Sequence, residues 1–139
     1  PGAQFPGAGA RRILVVDDAP ENQRLIEFKI KRLGYDVDIA DEGQSGYQSA
    51  MQAMRSRNPY RCILLDMQMP VMDGYETARK LRAEKYDYPI VALTANAMRG
   101  EREKCIAAGC DDYVSKPIDF DELEQVIDRL EKQRFADVP

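Results

Sequence analysis

Four short apolar runs in this 139-residue chain each stop at a polar residue of chemically useful type. Ile13-Leu14-Val15-Val16 stops at Asp17 and Asp18, Cys62-Ile63-Leu64-Leu65 at Asp66, and Ile90-Val91-Ala92-Leu93 at Thr94. Tyr113-Val114 runs into Ser115, Lys116 and Pro117. Three carboxylates brought to one place repel unless something neutralises them. An oxygen-only donor set without imidazole or thiol selects a hard cation, and a few carboxylates with water suit Mg2+ better than an all-protein Ca2+ cage. Lys116 adds a point positive charge and Thr94 a hydroxyl donor. Together the set describes a place to hold a phosphoryl group, and a carboxylate there can itself be the nucleophile, forming an aspartyl phosphate. Taken singly, an Asp after a strand is more often a turn former or helix cap. The joint placement at four run ends carries the reading. Asp41, after a more polar run, is less distinctive.

These residues can meet only if the runs are neighbouring strands. The β-branched run at 13–16 has the length of a buried strand. Pro20 then suits a first helical turn, with Asn22, Ile26, Ile30 and Leu33 on one face and Gly34 as the stop. Residues 35–40 read as a second, more polar strand nearer an edge. Residues 43–57 form a helix weakened by Gly46 and Ser49. Asp73 with Glu76 resembles a capping box opening a third helix. A short helix through Ile106 closes at Gly109, and Asp119 with Glu122 caps the last one, whose apolar face is Phe120, Leu123, Val126, Ile127 and Leu130. Five βα units in succession imply a doubly wound parallel sheet covered on both faces, a three-layer α/β/α arrangement. In the flavodoxin-like strand order 2-1-3-4-5, ligands bind beyond the carboxyl ends of the strands, and strands one and three are neighbours at the switch point. Asp17, Asp18 and Asp66 then share one pocket.

Composition narrows the classes. The residues are 44% hydrophobic and 32% charged, which is globular rather than disordered. Twenty basic residues against 24 acidic ones, a net charge of −4, argue against direct nucleic-acid binding driven by bulk positive charge. There is no histidine, so serine–histidine triads, imidazole zinc sites and histidine acid–base catalysis are excluded within this chain. If phosphate travels through a histidine, it belongs to another protein or domain. Three cysteines without metal-like spacing rule out a disulfide framework and suggest a reducing, cytoplasmic compartment. The apolar runs are strand-length, so no membrane contact is expected of this domain. Residues 1–10, rich in Gly, Pro and Ala, read as a linker or expression scar, residues 11–134 as one domain and residues 135–139 as a tail.

At this point the chain resembles the receiver domain of two-component response regulators. The matching stretches run from Ile13 to Asp18, from Leu64 to Gly74 (LLDMQMPVMDG), from Ala92 to Ala97 (ALTANA) and from Gly109 to Pro117 (GCDDYVSKP). The last two look most like receivers of hybrid histidine kinases. The resemblance implies that Asp66 accepts a phosphoryl group from a phosphohistidine donor, a histidine kinase or a histidine phosphotransfer domain. It also implies that Asp18, Asp66 and the backbone carbonyl of Gln68 bind Mg2+ (with Mn2+ as a substitute), while Asp17 acts through water. Thr94 and Lys116 would contact the phosphoryl oxygens, beside the small Ala95. Tyr113 would be the switch aromatic, Gln68 and Asn96 would tune the lifetime of the phosphorylated state, and Lys116-Pro117 would be a cis peptide. The readout would be the face made by the fourth helix, fifth strand and fifth helix, with the charged residues 101–104 facing solvent and a dimer through that face as one outcome. Gly46 and Tyr47 depart from the small helix formers usual in the family, so the second helix is expected to be loose or to carry a partner contact. Arg61 and Cys62 also depart, away from the acidic pocket.

Such a domain is a signalling module whose only chemistry is its own phosphorylation and dephosphorylation. With no output domain after Pro139, it reads as a piece excised from a hybrid sensor kinase, itself open to membrane anchoring, or alternatively as a stand-alone regulator. Three other classes compete less well. An Asp-nucleophile, Mg2+-dependent phosphatase of the haloacid dehalogenase type needs a second Asp where this chain has Gln68. A flavin carrier needs a glycine- and hydroxyl-rich phosphate loop where this chain has Asp17-Asp18-Ala19-Pro20. A phosphorylation-independent adaptor would have no use for the charged pocket.

Overall fold

The computed structural model describes residues 11–135. The expected linker at 1–10 and residues 136–139 of the expected tail lie outside the described residues. Five strands alternate with five helices: β1 Arg12–Val16, α1 Pro20–Arg32, β2 Asp36–Ala40, α2 Gly43–Arg55, β3 Cys62–Asp66, α3 Gly74–Ala83, β4 Ile90–Thr94, α4 Glu101–Ala108, β5 Asp112–Ser115 and α5 Phe120–Phe135. The strands form one sheet in the order β2-β1-β3-β4-β5, all pairs parallel, as expected from the alternation.

Side chains of a strand alternate between faces, and the two faces of this sheet sort cleanly. Leu14, Val16, Ile63, Leu65, Ile90 and Ala92 pack with residues of α2, α3 and α4. Ile13, Val15, Cys62, Leu64, Val91, Leu93 and Val114 pack with residues of α1 and α5. β3 and β4 are buried along their whole length, whereas β2, at the edge, is mostly exposed. This explains why the central runs read as unbroken apolar segments and β2 did not. Ile26 and Ile30 of α1 are buried as the helical spacing requires, and Gly34 follows with φ +98°, in the left-handed region that stops the helix.

One expectation changes. The second strand starts at Asp36 rather than Tyr35, because its pairing with β1 begins level with Arg12, and the buried Tyr35 before it turns its hydroxyl to Glu131 of α5 at 2.7 Å. In the second helix, Gly46 is buried close against β1, and a Cβ there would stand 2.8 Å from Val16 Cγ2. The glycine lets helix and strand approach, while the half-buried Tyr47 packs beneath the Lys80 ammonium, 4.3 Å from its ring centroid. Arg61 and Cys62 stay clear of the acidic pocket as expected: Arg61 bonds Glu131 at 3.1 Å, and the Cys62 side chain is fully buried.

Candidate functional site

Strand register brings the polar residues together. Val16 lies level with Leu65, so Asp17 and Asp66 leave their strands side by side. Asp66 lies level with Leu93, and Thr94 with Ser115, which sets Thr94 and then Lys116 progressively further along the same edge. Asp17 is 0% and Asp66 3% exposed, whereas Asp18 faces solvent. One carboxylate oxygen from each of Asp17, Asp18 and Asp66 lies within 4.8 Å of the others.

The local chain holds these carboxylates in place. Asp17 Oδ1 accepts the Ala19 N–H at 2.8 Å, and the Gln23 side chain donates to the Asp17 carbonyl at 2.6 Å, tying the strand end to the first turn of α1. Asp66 Oδ1 accepts the Gln68 N–H at 3.1 Å. Behind it, α3 begins close against the end of β3. Asp73 caps the helix by accepting from Glu76 N–H at 2.9 Å, and a Cβ on Gly74 would stand 2.6 Å from the Asp66 carbonyl. Only glycine allows that approach.

Lys116 Nζ sits 3.3 Å from Asp66 Oδ1 and 3.6 Å from Asp17 Oδ2. One ammonium therefore serves two buried carboxylates, with a third beside them. Asp17 Oδ2 is buried with no hydrogen-bond partner. Burial pushes the Asp66 carboxyl above the usual carboxylate range, and the Gln68 N–H and the Lys116 ammonium offset this only partly. An oxygen-only carboxylate set with surplus negative charge and an orphaned carboxylate oxygen fits a small divalent cation such as Mg2+. The Lys116-Pro117 peptide is cis, as the resemblance implied.

Thr94 is fully buried, and its hydroxyl is already engaged. It accepts from Gln68 Nε2 at 3.1 Å and from the Asn96 N–H at 3.0 Å, and it faces Glu101 Oε2 at 3.1 Å. Gln68 Oε1 in turn accepts the Ala95 N–H at 2.9 Å, so this exposed side chain bridges the ends of β3 and β4. Asn96 also caps the following turn, its Oδ1 accepting the Met98 N–H at 3.0 Å. Tyr113 is half-buried on the α4 side of the sheet, packed against the cluster that contains Cys105 and Ala108.

Glu101 corrects an expectation. Residues 101–104 do not all face solvent: Arg102, Glu103 and Lys104 do, but Glu101 is 4% exposed. Its carboxylate accepts from the Tyr75 hydroxyl of α3 and sits 3.5 Å from Cys105 Sγ. The missed signal was spacing. Glu101, Cys105 and Ala108 are the buried residues of α4, and at i, i+4 and i+7 they share one helical face. Asp41 is exposed and takes no part in the acidic cluster.

Comparison with known proteins gives a consistent picture. Residues 13–128 match the family model of the response regulator receiver domain. Sensor protein EvgS of Escherichia coli (strain K12) is 40% identical over 119 residues, covering 85% of this chain but 9% of its own length. Hybrid signal transduction histidine kinase I of Dictyostelium discoideum is 37% identical over 121 residues, covering 84% of this chain and 7% of its own. The chain therefore spans less than a tenth of either relative. Among solved structures, the receiver domain of sensor histidine kinase PA1611 from Pseudomonas aeruginosa PAO1 superposes with a TM-score of 0.77 at 40% identity, covering 88% of this chain and 98% of that one. That structure is described with a magnesium ion coordinated in its active-site cleft.

Proposed function

The chain belongs to the response regulator receiver family, and from that premise we propose that Asp66 is the phosphoacceptor of a phosphorelay. The observation that supports this most directly is the convergence of Asp17, Asp18 and Asp66 with the Lys116 ammonium at the carboxyl edge of the sheet. Asp17, Asp18, Asp66 and the Gln68 backbone carbonyl are the groups that would hold Mg2+, or Mn2+ in its place. The cation would supply positive charge against the phosphoryl oxygens.

The transfer needs few groups from this chain. A carboxylate oxygen of Asp66 forms the bond to phosphorus while the P–N bond of a phosphohistidine breaks, and the imidazole leaves with the electron pair and takes up a proton. Lys116 Nζ, 3.3 Å from Asp66 Oδ1, stands where a phosphoryl oxygen needs a donor. The Thr94 hydroxyl and Ala95 N–H are further donors; in the resting state the Ala95 N–H donates to Gln68 Oε1 at 2.9 Å, while the Thr94 oxygen accepts from Gln68 Nε2 at 3.1 Å. Phosphorylation therefore exchanges the Ala95 hydrogen bond to Gln68 for one to a phosphoryl oxygen and draws the Thr94 hydroxyl away from the Gln68 amide, which gives Gln68 a direct hold on the phosphorylated lifetime. Asn96, bonded to the Thr94 hydroxyl through its N–H, is the second position with such a hold. Tyr113, on the α4 side of β5, follows Thr94 and carries the change to the face of α4, β5 and α5.

The donor would be a histidine kinase or histidine phosphotransfer domain, since the chain has no histidine of its own. The likeness to sensor and hybrid kinases favours a hybrid kinase as the parent chain, acting in the cytoplasm. Among the described residues no helix is long and apolar enough to cross a membrane. Acetyl phosphate with Mg2+ tests the proposal by intact mass. The wild type should gain one phosphoryl group, and Asp66→Asn and chelated samples none. An unmodified wild type, or an equally modified Asp66→Asn, would overturn the assignment.

A further inference from the structure

Glu101 is a buried carboxylate that phosphoacceptance does not use, yet it touches the one hydroxyl that phosphoacceptance needs. Both of its oxygens are held by uncharged groups. The Tyr75 and Thr94 hydroxyls lie on Oε2, the Thr94 contact at 3.1 Å, Asn96 Nδ2 lies 3.5 Å from Oε1, and Cys105 Sγ lies 3.5 Å from Oε2. No ion pair reaches Glu101 among the described residues, since the Lys104 ammonium of the same helix lies over the Tyr75 ring instead, 4.3 Å from its centroid. A buried carboxylate held only by neutral donors depends on each of them.

A threonine hydroxyl has one proton to donate. In the resting molecule Thr94 Oγ1 already receives the Gln68 and Asn96 N–H groups, and its proton has two acceptors in reach: Glu101 Oε2 at 3.1 Å and the Asn96 carbonyl at 3.3 Å. The charged acceptor is the closer and the stronger. A phosphoryl oxygen on Asp66 would need the same proton.

We propose that Glu101 is the resting-state competitor of the phosphoryl group for the Thr94 hydroxyl, a positioning residue that sets how readily the domain is activated and releases the first turn of α4 when Thr94 turns away. The inference rests on the phosphoacceptor reading of Asp66. It accounts for the direction of signalling. Glu101 is the first residue of α4, and Gly100 before it has φ +89° with no atom within 4 Å of a Cβ placed there, so this end of the helix has room to pivot. Loss of the Thr94 proton leaves the carboxylate under-solvated in place, and moving the helix end toward water relieves that. Through the Tyr75 hydroxyl the same carboxylate also ties α4 to α3.

The test is titration of the protein with beryllofluoride and Mg2+, read by amide NMR, in the wild type, Glu101→Gln, Thr94→Ala and the double variant. Glu101→Gln leaves a weaker, neutral acceptor, so half-saturation should fall by about fivefold, the size of one weakened charge-assisted hydrogen bond. In the Thr94→Ala background the same substitution should change nothing, an outcome that a purely structural role for Glu101 would not produce. Equal half-saturation in the wild type and Glu101→Gln overturns the competitor role while leaving Asp66 as acceptor. A wild type that does not bind beryllofluoride at all sinks the phosphoacceptor reading instead. Should Glu101→Gln fail to fold, the wild type still decides through the carbon-13 resonance of the Glu101 carboxyl. It must shift on saturation with beryllofluoride, and an unmoved resonance refutes the exchange.

Discussion

Replacing Asp17 by Asn should make the metal-free protein more stable, the reverse of what removing a fully buried charged group from an ion pair ordinarily does. The three clustered carboxylate oxygens lie within 4.8 Å of one another, and at an effective dielectric of 20 two like charges at that distance repel by about 3.5 kcal/mol. Asp17 takes part in two such pairs. Against them stands one attraction, to Lys116 Nζ at 3.6 Å, worth about 4.6 kcal/mol on the same scale. The balance favours neutralising Asp17 by about 2 kcal/mol. Screening through the exposed Asp18 and the partly exposed Lys116 reduces this to about 1 kcal/mol. Burial acts in the same direction, because Asp17 Oδ2 has no hydrogen-bond partner, while the Asn side chain keeps an oxygen for the Ala19 N–H. For a domain of this size the expected rise in melting temperature is about 3–5 °C. Thermal unfolding followed by circular dichroism in chelator measures it. Excess Mg2+ should then raise the wild type, by about 2.7 kcal/mol at a hundredfold excess over its Kd, and raise Asp17→Asn much less. A variant that melts below the wild type in chelator would refute the view that this cluster is held under electrostatic strain.

At the opposite end of the sheet, Glu131 should behave conversely. Its carboxylate takes Arg11 at 2.5 Å, Arg61 at 3.1 Å and the Tyr35 hydroxyl at 2.7 Å. Burial pushes its carboxyl up, but these partners outweigh burial and hold it below the usual range. The stabilisation is therefore complete above the ordinary glutamate pKa and lost as pH falls through the lowered one. Urea unfolding should show Glu131→Gln weaker than the wild type by about 1–3 kcal/mol at pH 7, because the half-buried Arg61 is left without its charge partner. The gap should close toward pH 3, and a gap independent of pH would contradict the assignment. Gly46→Ala should destabilise by about 1–2 kcal/mol, since the overlap with Val16 outweighs the gain in helix propensity. Val16→Ala in the same chain should recover part of that loss in the same assay, and no recovery would show that the contact is not the cause.

The acidic pocket was legible because a parallel α/β sheet turns position along the chain into position in space. Each central strand is buried on both faces, so its run of apolar residues has a visible end, and the residue at that end lies at the ligand edge. Asp17, Asp66 and Thr94 are of this kind, and Lys116 follows the shorter, partly buried edge strand β5. What was less legible depends on packing between elements. Gly46 read as a weak helix position, because nothing local reveals that Val16 stands against it. Tyr35 read as a strand residue, because its partner Glu131 lies 96 residues away. Glu101 read as solvated together with its charged neighbours Arg102, Glu103 and Lys104. Its place on the face of Cys105 and Ala108 gave the opposite answer, and that was the more reliable of the two signals.

On the proposed reading, the same geometry would let so small a site report to a helix. Gain or loss of a phosphoryl group at an exposed carboxylate would change only its own hydration, and no distant element would respond. Here the donors that such a group requires are already occupied. Gln68 Oε1 accepts the Ala95 N–H, its Nε2 donates to the Thr94 oxygen, and the Thr94 proton faces Glu101 on α4. On the proposed reading, phosphorylation of Asp66 would be an exchange, in which a hydrogen bond given to the phosphoryl group is taken from Gln68 or from α4. Such competition makes two arrangements exclusive rather than continuous, because one hydroxyl proton is not shared equally between a carboxylate behind it and a phosphoryl oxygen in front. The resting bias then depends on the difference between two hydrogen bonds to charged acceptors, a quantity of about 1 kcal/mol. A difference that small lets a single substitution at Gln68 or Glu101 move the balance without altering the fold.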